Sequence, residues 1–543
     1  MSVSDRDGSQ VERTSDQQRL HELGYAQELK RKMSGFSNFA VSFTIISILT
    51  GCMTTYYLAL YAGGGPVMSI GWLVVGLMVL LVGMAMAEVC SSYPTAGGLY
   101  YWSAKLAKKN GAAWSWFTGW FNLVGQIAVT ASIDFGFAIF FGAWLSLMNK
   151  DFVATPRWTF FFYAAVLIIH ALLNSRGVNL VSKLNDVSVW WHLAGVALIV
   201  GALVIIPDNH QSTAFVFSEF KNNTGWSFPG SGAYVFLIGL LLAQYTLTGY
   251  DASAHMTEET VDAAVAGPKG IVRSIWISVI AGWVLLLGLT YAIQDYDKAL
   301  AGADASGVPP AQIFLDALGS NWARVLMFVT LGAQFFCGAA SMTANSRMIY
   351  AFARDGAIPG SRMWHQINPK TRTPTNSIYL ATGAALLLGV PSLIRNPAGA
   401  PIAFFAIVSV AVIGLYVSYI IPVYLRLKAG ESFERGPWHL GKWSYLVGWI
   451  AVVWVAAICV IFLLPQFAPV DRNNFNYTGV ALLLIMGAVT LWWFLSAKNW
   501  FTGPKVQGTP EELAAIEAEL TALETGTLTS AGDVTGRKPR AKA

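Results

Sequence analysis

Long apolar runs separated by short polar connections make up most of this chain. Twelve runs are long enough to cross a hydrocarbon layer of ~30 Å at ~1.5 Å per helical residue. They lie at residues 36–62, 66–90, 113–146, 158–174, 187–206, 232–257, 270–294, 322–352, 376–393, 400–425, 446–465 and 478–497. The pattern predicts an all-α polytopic membrane protein. Segment 6 departs from it. It is apolar from Tyr234 to Leu242, then carries Thr246, Thr248, Gly249, Asp251 and Ser253 in quick succession. Glycine costs ~1 kcal/mol in a helix interior, and threonine hydroxyls offer the backbone competing hydrogen bonds. Irregular backbone survives at membrane depth only where it lines a cavity. Segment 6 therefore reads as a broken helix walling a solute site; the plainer reading is a continuous helix with a polar face.

Segment 1 has the same irregularity, with Ser47, Thr50 and Gly51 at its centre. The two interrupted helices correspond if segments 1–5 and 6–10 are repeats, and an odd number of helices inverts the second repeat. Such a pair points to a transporter site at the bilayer midplane. Residues 36–206 would then form one repeat, 232–425 the other, and 446–497 two further helices. Tails at 1–35 and 498–543 flank this 36–497 unit. Gly63-Gly64-Gly65-Pro66, between segments 1 and 2, leaves room only for a tight reversal.

Charge sets the orientation. With the N-terminus inside, the inner loops hold fifteen Lys and Arg and the outer loops seven, including Arg324 and Arg395. The positive-inside rule then places both termini in the cytoplasm, which requires an even number of spans. Composition agrees: 55% of residues are hydrophobic and 12% charged, against ~25% charged in soluble domains. The first 35 residues contain no signal-peptide pattern. Leu20 to Leu29 is a short amphipathic stretch suited to the inner membrane face. Pro510 to Leu520 reads as a helix with proline and acids at its start, followed by a polar basic end expected to lack order. Cys52, Cys90, Cys337 and Cys459 have neither metal nor disulfide spacing. No cofactor motif is present, and nothing suggests nucleic acid as a partner.

Several motifs resemble the amino acid–polyamine–organocation superfamily. The run Glu88-Val-Cys-Ser-Ser-Tyr-Pro-Thr-Ala-Gly-Gly-Leu-Tyr-Tyr-Trp102 is similar to the segment after the second helix of amino-acid permeases. Leu23 to Phe39, and Gly249-Tyr-Asp-Ala-Ser-Ala-His-Met-Thr-Glu-Glu-Thr260, resemble the amino acid/choline branch, which includes γ-aminobutyrate permeases. Ser346 to Pro359 is similar to that family's segment at the end of helix 8. The resemblance covers roughly residues 20–500. It implies a five-plus-five inverted repeat with two extra helices. It also implies secondary active transport of an amino acid or related amine, such as γ-aminobutyrate, across the plasma membrane by alternating access.

On this resemblance the substrate carboxylate meets backbone N–H groups at the helix 1 break, which falls on Thr50-Gly51 with Ser47 and Ile48 just before it. A half-helix N-terminus suits an anion without any buried cation; alternatively Gly51 only permits close helix packing. The family's unwound stretch of helix 6 carries over to Tyr245-Thr246-Leu247-Thr248-Gly249. Its carbonyls would take the substrate ammonium and Tyr245 would gate it, unless Tyr245 is an ordinary packing aromatic. Asp251 is read first as a cap on the inner half-helix, then as a proton carrier or cation ligand. His192, about five residues into segment 5 from inside, aligns where some proton-coupled relatives carry a lysine. Imidazole, with a reference pKa of ~6.5, changes charge near neutral pH; the plainer reading is a neutral interhelical histidine. Ser341 and Thr343 would serve sodium instead, and Ser341 is also a substrate-site candidate.

Asn122 and Gln126 share a face of segment 3 near mid-depth, directed at substrate or a neighbouring helix. Asp134, eight residues farther out, reads first as an exposed outer-end carboxylate and second as a group that attracts an amine at the outer vestibule. Arg347, Glu88 and His170 read as structural. The expected partners are the bilayer, an amino acid or amine, and a proton ahead of sodium. The alternatives are choline or polyamine transport, exchange, sodium symport, or a sensor that binds without transporting. A membrane-embedded enzyme would need a second catalytic group beside His170 or His192, and none is evident.

Overall fold

A computed structural model describes residues 15–393, 402–472 and 474–525. Among these the fold is almost wholly helical, with one two-residue antiparallel ladder, Ala62–Gly63 against Lys221–Asn222. Eleven helices are long and apolar enough to span a membrane. Segment 6 is the exception: its apolar helical stretch is Ser231–Thr246, too short for a ~30 Å layer and followed by non-helical backbone.

The membrane helices, in chain order, are α1 (Gly35–Tyr61), α2 (Val67–Ser92), α3 (Gly111–Met148), α4 (Pro156–Asn174), α5 (Val178–Ile205), α6 (Ser231–His255, interrupted), α7 (Ala263–Tyr291), α8 (Pro309–Arg354), α9 (Thr375–Gly389), α10 (Ile402–Ala429), α11 (Ser444–Ile461) and α12 (Thr478–Leu495). The α1–α2 reversal uses Gly63 and Gly64, both at positive φ, where a side chain would be strained. α3 packs between α10 and α8, while α1 lies against α7, α5 and α8.

Two boundaries differ from those predicted, with consequences for the site. α5 begins at Val178 rather than near residue 187, so Lys183 belongs to the helix and not to a loop. His192 therefore sits fourteen residues from the helix start, ~21 Å of rise rather than ~8 Å. α8 begins at Pro309 but is bent at Gly319, whose φ of 78° is non-helical. Polar residues in these first turns hid the helices from a hydropathy reading.

Charged groups inside the bundle are paired, which desolvation requires. Arg347 Nε donates to Glu259 at 2.7 Å and Arg426 Nε donates to Glu88 at 3.1 Å. Asp134 corrects the sequence reading: it is fully buried, with Oδ2 3.1 Å from His170 Nδ1. Gly338 makes room for this pair, since a Cβ there would stand 2.0 Å from Asp134 Oδ1.

The N-terminal stretch also differs from expectation. Leu20, Tyr25 and Leu29 are at most 1% exposed, packed on protein rather than laid against lipid. Tyr25 Oη donates to Asp355 beyond α8, at 3.2 Å. The C-terminal helix Pro510–Thr525 closes over this stretch, with the Gln27 N–H on Glu517 at 2.7 Å and Lys30 paired with Glu524. The polar end after residue 525 and Arg395 lie outside the described residues.

Candidate functional site

The two interruptions meet. α1 breaks at Ser47, whose φ of 36° and ψ of 81° separate α1a (Gly35–Ile46) from α1b (Ile48–Tyr61). A non-glycine residue in this left-handed region costs ~1–2 kcal/mol. Ser47 is held there by its neighbours: Oγ lies 2.6 Å from Thr50 Oγ1 and 2.7 Å from His192 Nε2. The N–H groups of Thr50 and Gly51 both donate to Ser47 O at 2.8 Å. Those of Ile48 and Leu49, at the very start of α1b, have no intrahelical acceptor by helix geometry and form the positive end of its dipole.

The break is therefore at Ser47, not at Thr50-Gly51. Gly51 is helical, and its packing role is explicit: a Cβ there would stand 2.6 Å from Thr246 Oγ1 and 2.8 Å from Thr246 Cα. The residue allows α1b and α6 to touch backbone to backbone.

α6 unwinds from Leu247 to Tyr250. Gly249, at φ 95°, is the pivot; a Cβ would stand 2.3 Å from Ile45 Cγ2 on α1a. The freed carbonyls find partners: Leu247 O accepts from Tyr416 Oη at 2.6 Å and Tyr250 O from Ser42 Oγ at 2.9 Å. Thr246 and Thr248 donate their hydroxyl protons to Leu242 O and Gln244 O, at 2.7 and 2.6 Å, which leaves their lone pairs as acceptors.

Between the breaks is a small cavity lined by Ile45, Ile46, Thr50 and Gly51 from α1, Val129 and Ile133 from α3, Tyr245, Thr246 and Thr248 from α6, and Cys337 from α8. Five sequence candidates are on that wall: Thr50, Gly51, Tyr245, Thr246 and Thr248. No carboxylate, ammonium or guanidinium is among the lining groups. Tyr245 Oη is 2.8 Å from Ser132 Oγ, which fixes the ring from α3. Cys337 Sγ donates to Ile45 O at 3.3 Å, satisfying a carbonyl at the end of α1a. The sequence reading missed Ile45, Ile46, Val129, Ile133 and Cys337. Val129 and Ile133 follow Gln126 at i+3 and i+7, so helical periodicity contained that signal.

The other candidates sit behind the wall. Asn122 and Gln126 face α6, donating to Asp251 Oδ2 at 3.3 and 2.7 Å. Tyr419 on α10 donates to Oδ1 at 2.7 Å, and His255 Nε2 stands 3.3 Å from Oδ2. The Asp251 side chain makes no capping bond to the helix it starts, which corrects the cap reading. Its carboxylate instead ties α6 to α3 and α10. Ser341 Oγ pairs with Thr130 Oγ1 at 2.9 Å, and Thr343 donates to Asn174 at 2.6 Å. These contacts join α8 to α3 and α4.

The sequence model described as amino acid permease matches residues 33–489. The chain belongs to the amino acid permease family. This permease is 44% identical over 511 residues to the amino-acid permease BAT1 of Arabidopsis thaliana, covering 90% of this chain and 96% of the plant protein. It is 44% identical over 501 residues to the BAT1 homolog of Oryza sativa subsp. japonica, covering 90% and 95% respectively. A Schizosaccharomyces pombe amino-acid permease is 32% identical over 501 residues, covering 92% of this chain and 91% of the yeast protein. The permease is thus a multi-pass membrane transporter with a small-molecule substrate, and the geometry above is that of its candidate site.

Proposed function

We propose that this permease carries an amino acid or related amine, such as γ-aminobutyrate, across the plasma membrane by alternating access, with both termini cytoplasmic and a proton as the coupling ion. The observation that carries the reading is the convergence of two helix breaks on one cavity without charged lining. A zwitterion fits such a site. Its carboxylate meets the α1b N-terminus at Ile48 and Leu49, and its ammonium meets the acceptor oxygens of Thr246 and Thr248. A polycation would find no carboxylate on the wall.

His192 is the proposed proton carrier. It contacts the α1 break directly through Ser47, and a buried imidazole there ties site geometry to protonation. Proton release to the cytoplasm drives the cycle if the two access states differ in proton affinity.

The test is uptake in proteoliposomes with a labelled panel of α-amino acids and γ-aminobutyrate, with and without an imposed pH gradient. The expected result is accumulation of one zwitterion on an inward proton gradient in sodium-free buffer. His192→Ala should keep exchange of that solute and lose gradient-driven accumulation. Accumulation by the variant would remove His192 as the carrier, and a sodium requirement in the wild type would reject proton coupling.

A further inference from the structure

The contacts of His192 continue past Ser47 into the cavity wall. The ring is held at both nitrogens. Nδ1 lies 2.8 Å from Ser188 O, and Nε2 lies 2.7 Å from Ser47 Oγ. Ser47 Oγ is in turn 2.6 Å from Thr50 Oγ1, and Thr50 lines the cavity. Ser188 Oγ is also near Nδ1, at 3.1 Å, but the closer oxygen is the carbonyl, which only accepts, so Nδ1 keeps its proton in both charge states with Ser188 Oγ as a second acceptor. The nitrogen that gains and loses a proton is therefore Nε2, the one facing the α1 break.

We infer that the hydroxyls of Ser47 and Thr50 form a relay whose direction is set by the charge of His192, so that the proton and a substrate carboxylate bind together. This rests on His192 being the proton carrier. With the ring neutral, Nε2 accepts a hydrogen bond from the Ser47 hydroxyl. Ser47 Oγ then accepts along the short contact with Thr50, whose proton points away from the cavity. With the ring protonated, Nε2–H donates to Ser47 Oγ. The Ser47 proton turns to Thr50 Oγ1, and the Thr50 proton is released toward the cavity as a donor. No bond to a heavy atom is made or broken along the relay; each hydroxyl keeps one proton and reverses its direction. The released donor lies two residues beyond the free N–H of Ile48, where it adds to the anion site at the α1b start. A carboxylate meets one more donor when His192 is charged.

The surroundings leave the relay to these groups. Phe43 lies edge-on to the His192 ring at 5.8 Å, and among the described residues no charged side chain pairs with it. From α8, Cys337 faces Ser47 and Thr50, its thiol committed to Ile45 O. Behind Cys337, Asp134 is paired with His170. On α5 itself, Asp186 is bonded to Ser37 Oγ at 3.1 Å. Cys52 on α1b contacts Thr246, and Tyr245 on α6 bonds Ser132.

The experiment measures equilibrium binding of the labelled amino acid taken up best in the panel above, to purified protein in nanodiscs, from pH 8 to pH 6. Its decarboxylated amine, which keeps an ammonium charged throughout this range and lacks the carboxylate, is the control ligand. Wild type should bind the amino acid about tenfold tighter at the acid end, a typical coupling between two sites, while amine binding does not tighten. Thr50→Val, matched in shape but without the hydroxyl, and Ser47→Ala should both flatten the amino-acid profile; Thr50→Ser should restore it. Folding of each variant is checked by gel filtration, and Ser47→Ala carries the test if Thr50→Val does not fold. A flat His192→Gln profile beside a retained slope in Thr50→Val and Ser47→Ala would overturn the relay and leave His192 as the carrier. A retained slope in His192→Gln would overturn the carrier itself. A slope for the decarboxylated amine equal to that for the amino acid would also overturn the relay.

Discussion

Gly51→Ala tests whether the site depends on backbone contact between α1b and α6. The added methyl would sit 2.6 Å from Thr246 Oγ1, 2.7 Å from Cγ2 and 2.8 Å from Cα. Comfortable carbon contacts are ~3.5–4.0 Å, so the helices must separate by roughly 1 Å or distort. The hydroxyl and methyl of Thr246 could rotate away, but its Cα is part of the α6 backbone and cannot. Overpacking of this kind costs ~1–3 kcal/mol, which is about 5- to 150-fold in an equilibrium constant. The cost should show as a lower Tm in detergent and as weaker binding of the transported amino acid, since the separation widens the gap between Thr50 and Thr246. Thr246→Ala in the Gly51→Ala background should recover only part of the lost Tm, because Cα remains in place. Wild-type Tm and Kd in Gly51→Ala would show that the half-helices are not in contact, and complete recovery in the double variant would show that the backbone is not the obstacle.

Two other predictions concern groups outside the cavity wall. Asp251→Asn places an amide N–H₂ among the donors Gln126, Asn122 and Tyr419, and leaving buried donors unmatched costs ~1–3 kcal/mol; an unchanged Tm would show that the carboxylate charge is not what joins α6 to α3 and α10. The Glu524 carboxyl is held below its ordinary 4.5 by its hydrogen bond to Lys30, so its contribution is present above about 4.5 and fades as pH falls through the lower folded value. Both partners are roughly a quarter exposed, which keeps the contribution under ~1 kcal/mol. Limited proteolysis of the C-terminal helix should therefore accelerate on acidification below that point and, in Glu524→Gln, already at pH 7; no effect of the substitution would refute the clip.

Local composition decided a good deal. Apolar runs require membrane helices because lipid cannot satisfy a backbone, and the Thr-Leu-Thr-Gly sequence of α6 announced its interruption within a few residues of the observed Leu247–Tyr250 stretch. Gly249 was legible because a positive φ with a close neighbour on α1a leaves glycine as the residue that fits. Thr248 could be placed on the wall because it belongs to the stretch that unwinds, and Tyr245 and Thr246 because they end the helix just before it.

Other features depended on distant partners. The α1 break falls on Ser47 rather than glycine because His192 and Thr50 offset the left-handed strain, and His192 lies 145 residues away. Nothing in the local sequence of α1 encodes that partner. Asp134 was read as exposed because helical position sets depth but not direction; His170 and the space beside Gly338 decide its direction. Asp251 was read as a cap from its place in the chain, yet Gln126 and Tyr419 claim its oxygens from two other helices. Hydrophobic pattern acts residue by residue along one helix, so it fixes which segments enter the bilayer. The partner of a buried polar group is chosen by whichever helices pack together, and in this permease that choice moved the break, paired the acids and closed the cavity.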